Sequence, residues 1–205
     1  MKSQDDKIRD MVKESYAKIA QSADCGCSAD CCGSSSSPIQ ISDLGQNLGY
    51  TNDQLAIGLG EANLGLGCGN PLGIADLKAG ERVVDLGSGA GFDAFLAAKS
   101  VGPEGRVIGV DMTLEMISKA KKNAERLHVA NVEFRLAKIE KLPVADNSVD
   151  VVLSNCVINL SPDKNAVYGE MFRVLRPGGR ISISDILRSG ELPREIKDNP
   201  SAYTG

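Results

Sequence analysis

The segment Val83-Val-Asp-Leu-Gly-Ser-Gly-Ala-Gly-Phe-Asp93 constrains this chain more than any other. An apolar run that meets an acid, crosses alternating glycines and enters a helical pattern reads as the turn between the first strand and first helix of a βαβ unit. The alternation continues downstream. β-branched runs at 82–86, 106–110, 132–136, 149–154 and 180–184 are separated by helical patterns at 92–101, 114–127 and 164–175. The last helix is expected to close on the stop signal Arg176-Pro-Gly-Gly179. Strands that are apolar throughout and followed by helices bury both faces of a parallel sheet. The fold class is therefore α/β, a doubly wound, mostly parallel sheet with helices on both faces and five strands present.

The glycine turn also restricts its ligand. Its glycines stand at Gly87, Gly89 and Gly91 rather than in the dinucleotide spacing G-x-G-x-x-G, and Asp85 precedes the first by two positions. A carboxylate there attracts a ligand carrying an ammonium and a sulfonium, and repels a pyrophosphate held at the helix N-terminus. S-adenosylmethionine is expected in preference to NAD. A second acid, Asp111, sits at the tip of the second strand. An unpartnered buried carboxylate costs several kcal/mol, so a ligand is the reason to keep one at a strand end.

Composition narrows the rest. A chain of 205 residues with 42% hydrophobic and 24% charged residues suits one domain with a real core. A net charge of −4 and a pI of about 5.1 give no electrostatic footprint for nucleic acid or an anionic membrane. The mixed charges at Lys2, Asp5, Asp6, Lys7, Arg9 and Asp10 argue against a secretory signal, and no apolar run is long enough to span a bilayer. A cytoplasmic protein is expected. Its single histidine, His128, ends a charged helical stretch and reads as solvated, which leaves no His-based zinc site.

Five segments follow along the chain. Residues 1–21 form an amphipathic helix, with Ile8, Met11, Val12, Tyr16 and Ile19 at helical spacing, lying on a domain. Residues 22–38 are a Cys/Ser-rich loop holding Cys25, Cys27, Cys31 and Cys32. Residues 39–80 are a Gly-rich segment around Cys68, 81–190 the ligand-binding core, and 191–205 the start of a further C-terminal domain. In a reducing compartment these thiols are free, metal-binding or redox-active rather than structural disulfides. The Cys-x-Cys-x3-Cys-Cys spacing is not that of a zinc ribbon or knuckle.

The chain has no histidine placed to act as a base, and sulfur takes its place at the loops and strand ends. Cys156 follows Asn155 at the end of the fourth strand, where doubly wound sheets hold their ligands. The pattern D-x-G-x-G-x-G at Asp85 resembles the cofactor loop of class I, Rossmann-like methyltransferases that use S-adenosylmethionine. Together, Asn63-Leu-Gly-Leu-Gly-Cys-Gly-Asn-Pro-Leu72, Asp85-Leu-Gly-Ser-Gly-Ala-Gly-Phe-Asp93 and Ser154-Asn-Cys-Val-Ile-Asn-Leu-Ser-Pro-Asp-Lys164 resemble the arsenite S-adenosylmethionine methyltransferases, from about residue 40 to the last.

The resemblance implies a cofactor site of Asp85, Gly87, Ser88, Gly89 and Gly91 on the methionine side, with Asp111 on the ribose and Met112 against the adenine. Ile139 and Glu140 would line the adenine edge, and Asn155 would face the cofactor. Cys68 and Cys156 would bind trivalent arsenic, with Cys31 and Cys32 in the redox step, arsenite entering as a thiol adduct and thioredoxin or glutathione as reductant. Thiophilic arsenic keeps a lone pair and needs no general base. The family's third arsenic cysteine lies further along, so the sequence reads as a C-terminally shortened version, with a Cys expected soon after Gly205 in a longer reading frame. Two alternatives stand beside this reading: a methyltransferase for a quinone- or sterol-type carbon, and a fragment that binds cofactor or arsenite without turnover.

Overall fold

The structure is a computed structural model that describes residues 3–21, 41–58, 62–187 and 189–190. The Cys-rich loop at 22–38, with Cys25, Cys27, Cys31 and Cys32, and the segment 191–205 lie outside the described residues. Helix α1 spans Gln4–Gln21, and short helices α2 (Ile41–Asn47), α3 (Asn52–Gly58) and α4 (Leu72–Ala75) precede the sheet. The alternating part runs β1 (Arg82–Leu86), α5 (Phe92–Val101), β2 (Arg106–Asp111), α6 (Leu114–Arg126), β3 (Val132–Leu136), β4 (Val149–Asn155), α7 (Lys164–Val174) and β5 (Leu175–Ser184).

All four strand pairings are parallel, in the order β3-β2-β1-β4-β5. The chain first builds outward from β1 through β2 to β3, then returns to lay β4 on the other side of β1. That reversal opens a crevice between the carboxyl ends of β1 and β4, the usual ligand position in such sheets. Two buried layers cover the faces. Val83, Phe95, Val107, Phe134 and Leu153 pack on one side, and Val84, Leu86, Val110, Val152 and Met171 on the other. Period-two alternation along β1 thus sends neighbouring valines to opposite cores. Phe95 lies edge-on to Phe134 at 5.6 Å between ring centroids.

Local chemistry sets the boundaries. At the start of α1, Ser3 Oγ accepts the Asp6 N–H at 3.1 Å, and at α7 the Asp163 carboxylate accepts the Ala166 N–H at 3.0 Å, both side-chain caps on helix donors. His128 is exposed but outside α6, in the left-handed region with φ 54°, where its N–H closes the helix onto Glu125 O. The stop signal at 176–179 also differs from expectation. The strand already begins at Leu175, paired with Val149, and pairing shifts register before Arg180 meets Val151. Residues 176–179 therefore form an irregularity in a long edge strand, with Gly178 at φ 82°. Among the described residues no helix is long and apolar enough to cross a membrane.

Phe95, 1% exposed, sits at the centre of one layer. Phe95→Ala is expected to destabilise the chain by about 3–5 kcal/mol. Phe172→Ala, at a side chain 84% exposed, should cost less than about 0.5 kcal/mol. Urea denaturation midpoints compare the two; equal shifts would contradict this placement of the core.

Candidate functional site

A cleft with about 1240 Å³ of empty space, part of it open to solvent, lies at the carboxyl ends of the strands. Asp85, near the end of β1, forms its floor at 2% exposure, and its Oδ2 has no hydrogen-bond partner. Ser88 Oγ beside it is also buried and unpartnered. Burial raises the Asp85 pKa well above the ordinary carboxylate value, and the charges of Asp93 and Asp111 raise it further. Asp111 is better provided: Oδ2 accepts the Gly89 N–H at 3.0 Å and Oδ1 the Thr113 N–H at 2.8 Å. Its pKa is nonetheless raised, because burial outweighs those bonds.

The three glycines do different work. Gly89, at φ 51°, has open space where a Cβ would stand, so the backbone is bare towards the cleft. Gly87, at φ 66°, lines the cleft while letting Val157 pack closely. Gly91 differs from the cofactor role expected of it. A Cβ there would meet the rings of Phe95 and Phe134, and Gly91 is not among the cleft residues. Its small size serves the packing of α5 against the sheet.

Met112 and Ile139 form apolar walls, and Ile139 also belongs to the core layer with Leu142 and Val144. Glu140 reaches the cleft with its carboxylate engaged. Glu140 Oε1 accepts from Arg9 Nε at 3.1 Å and from Ser161 Oγ at 2.8 Å. Arg9 comes from α1, whose Val12 and Tyr16 also face the cleft. The apolar stripe of α1 thus closes over the site rather than over a remote surface. Burial, followed by the influence of Cys156, Asp111 and Cys68, pushes the Tyr16 hydroxyl up to about 12.

Cys156 lines one end of the cleft, and Cys68, which is not itself a lining residue, meets it there. Cys156 follows β4 with φ 57°, and its N–H donates to Ser184 O at 2.8 Å. The Cys68 loop is pressed against the same strand ends. A Cβ on Gly67 would stand 2.7 Å from Asn155 Nδ2, and one on Gly69 would overlap the Ser184 side chain. The glycines flanking Cys68 therefore bring its backbone against the sheet. The donor atoms of Cys68, Cys156 and Asp185 all lie within 4.8 Å of one another. Burial raises the pKa of both thiols, that of Cys156 to about 12, with the neighbouring Cys68 thiol and Asp185 charge adding to the effect on Cys156.

Asn155 holds this end together. Its Oδ1 accepts the Cys68 N–H at 3.1 Å, while Nδ2 lies 2.8 Å from Asp93 Oδ2, 2.9 Å from Gly69 O and 3.1 Å from the Tyr50 hydroxyl. The Tyr50 hydroxyl donates to Asp93 Oδ1 at 2.7 Å. Asn155 lines the cleft as expected, but its amide is committed to the thiol loop. Asp93, Tyr50, Asp185, Arg9 and Tyr16 are the site residues that sequence reasoning missed. Asp93 stands inside the glycine motif, two residues after Gly91, so an acid entering α5 was the available signal. The other four reach the site through long-range packing.

The chain is 49% identical to an arsenite methyltransferase of Halobacterium salinarum, in an alignment that covers 98% of this chain and 52% of that protein. It therefore spans about half the length of that relative. The crystal structure of an arsenic(III) S-adenosylmethionine methyltransferase from Chlamydomonas reinhardtii superposes with a TM-score of 0.61 at 37% identity, covering 81% of this chain and 55% of that one. A SAM-dependent methyltransferase from Aquifex aeolicus superposes with a TM-score of 0.55 at 26% identity, covering 77% and 80%. Residues 77–205 match the methyltransferase domain family, and with a cleft of this form at the carboxyl ends of its sheet the chain belongs to that family.

Proposed function

We propose that this chain methylates trivalent arsenic held on Cys68 and Cys156, with S-adenosylmethionine as the methyl donor. The observation that carries the reading is the meeting of the Cys68 thiol with Cys156, a lining residue of a cleft whose floor holds an unpartnered Asp85 oxygen. The donor set fits that cofactor. Asp85 Oδ2 is free to accept from an ammonium, the bare backbone at Gly89 admits a ligand, and Asp111 lines the cleft with a carboxylate of the kind that accepts from hydroxyl donors. Three acids, buried Asp85 and Asp93 and half-buried Asp111, make the floor attractive to a cation. When bound, S-adenosylmethionine supplies an electrophilic methyl group on a sulfonium.

The substrate side follows from the thiols. Both are protonated near neutral pH, and each condenses with an arsenic hydroxyl, forming a sulfur–arsenic bond and releasing water. No general base is needed, because arsenic keeps its lone pair and is itself the nucleophile. What the protein contributes is placement, which for well-oriented reactants is worth about 7–11 kcal/mol. Asn155 fixes the Cys68 loop against β4, and α1 covers the cleft. Loss of the lone pair to a new carbon–arsenic bond makes arsenic pentavalent, and two electrons return it to the trivalent state. A pair of thiols supplies them and becomes a disulfide, which a cytoplasmic dithiol or glutathione reopens. Cys31 and Cys32 are our candidates for that pair. The thioredoxin or glutathione partner and the cytoplasmic setting belong to this proposal.

Cys68→Ser and Cys156→Ser are each expected to weaken arsenite binding by about 100-fold or more, about 2.8 kcal/mol, with S-adenosylmethionine affinity retained. Calorimetric titration of both ligands checks this, and undiminished arsenite binding in both variants would refute the thiol site.

Asp85 gives a second test. Its pKa lies higher in the folded chain than in the unfolded one. Between those values the folded chain keeps a proton that the unfolded chain has lost, so the stability from this group is full at acid pH and disappears as pH rises through the raised pKa. Asp85→Asn is therefore expected to raise the Tm of the ligand-free chain near neutral pH by about 2–4 °C. The same substitution should weaken S-adenosylmethionine binding by about 30-fold or more, as loss of a buried charge partner does. A lowered Tm with unchanged affinity would contradict the cofactor role.

A further inference from the structure

The proposed reaction uses the two thiols and leaves the carboxylate beside them without a role. β4 and β5 pair Asn155 with Ser184, so the next residues, Cys156 and Asp185, leave the sheet side by side. Cys68 Sγ lies 3.7 Å from Ser184 O, the oxygen that also accepts the Cys156 N–H. The three donor atoms sit within 4.8 Å of one another, on residues that are all partly buried. Both carboxylate oxygens of Asp185 are aimed by backbone donors. Asn159 N–H donates to Oδ2 at 3.1 Å and Ile186 N–H to Oδ1 at 2.8 Å. Each oxygen keeps a lone pair, and such outer donors fix the direction of a ligating group.

A hard carboxylate oxygen adds little to a thiophilic arsenic centre. Two sulfurs and one oxygen instead match a borderline divalent cation, for which thiolate and carboxylate are both ordinary ligands. Three protein donors with one position left open is also the arrangement of zinc sites that exchange their fourth ligand. We propose that Cys68, Cys156 and Asp185 form a site for a divalent cation of the zinc class, and that its occupation excludes trivalent arsenic. On binding, both sulfurs become thiolates and their two protons pass to solvent. The cation site rests on the three donors alone; the exclusion also rests on the arsenic reading.

The test uses the full chain carrying Cys25→Ser, Cys27→Ser, Cys31→Ser and Cys32→Ser, so that Cys68 and Cys156 are its remaining thiols. Co²⁺ is the probe, read by its thiolate-to-metal charge-transfer absorption under reducing conditions, and Zn²⁺ is then added to displace it. One equivalent of Co²⁺ is expected to bind. Adding Cys68→Ser or Cys156→Ser should abolish the band, and Asp185→Asn should weaken binding by about 10-fold or more while circular dichroism stays unchanged. A band that survives both serine variants, or Asp185→Asn binding Co²⁺ as tightly as its parent, overturns the site. Saturating Zn²⁺ should raise the arsenite concentration for half-saturation by about 10-fold or more; no change overturns the exclusion. A chain that binds Co²⁺ but no arsenite refutes the arsenic reading and leaves the cation site standing. Arsenite binding without Co²⁺ binding removes the cation site alone.

Discussion

Burying a carboxyl group without a partner costs free energy, whether as desolvated charge or as a proton taken up against its ordinary pKa, and Asp85 carries that cost at the point where β1 enters the glycine loop. The surroundings leave it unrelieved. The Gly89 N–H turns to Asp111, and the Asn155 amide and Tyr50 hydroxyl turn to Asp93. Two of three converging acids are thus supplied with donors from the protein, while one Asp85 oxygen waits for a donor from elsewhere. In the proposed reading a cationic ligand would bind where the fold has gathered acidic groups, and its binding would relieve a penalty the ligand-free chain bears.

The thiol end is coupled to that floor through one side chain. Asn155 bonds the backbone of the Cys68 loop on one side and Asp93, next to the cofactor loop, on the other. Tyr50, from the connection between α2 and α3, closes the arrangement from beneath. The separation between the sulfur atoms and the cleft floor is consequently set by short, partly buried hydrogen bonds rather than by the length of a loop. Networks of this kind lose much of their precision when one member is removed, because the remaining members are left partly unsatisfied.

The fold was legible because its signals are local. Apolar runs of strand length, helical spacing between them and a glycine turn after the first strand all act over a few residues, and they placed β1, α5 and β2 within a residue of their positions. The site was legible only in part. Asp85, Asp111, Cys68 and Cys156 stand in motifs that carry their own chemistry, whereas Asp185 acquires meaning only when the β4–β5 register sets it beside Cys156. Gly91 shows the opposite difficulty. Three glycines in alternation look equivalent in sequence, yet one faces the aromatic core and two the cleft. Helix α1 was expected to lie on a domain, but Arg9 gripping Glu140 could not be foreseen across that sequence separation.

The backbone at Cys156 has a consequence for how this end of the molecule can change. A residue at φ 57° occupies the left-handed region, which asparagine, aspartate and histidine enter far more readily than β-branched residues do. Of the side chains tolerated there, several are themselves metal ligands. The position thus filters its occupants by backbone shape first, and most of what passes the filter carries a donor atom towards Cys68 and Asp185. A descendant of this chain, natural or engineered, could exchange a soft donor for a harder one at 156 without rebuilding the turn. Such an exchange would harden the donor set beside Cys68 and Asp185, and with it the elements the pocket could hold, while the sheet beneath it stays as it is.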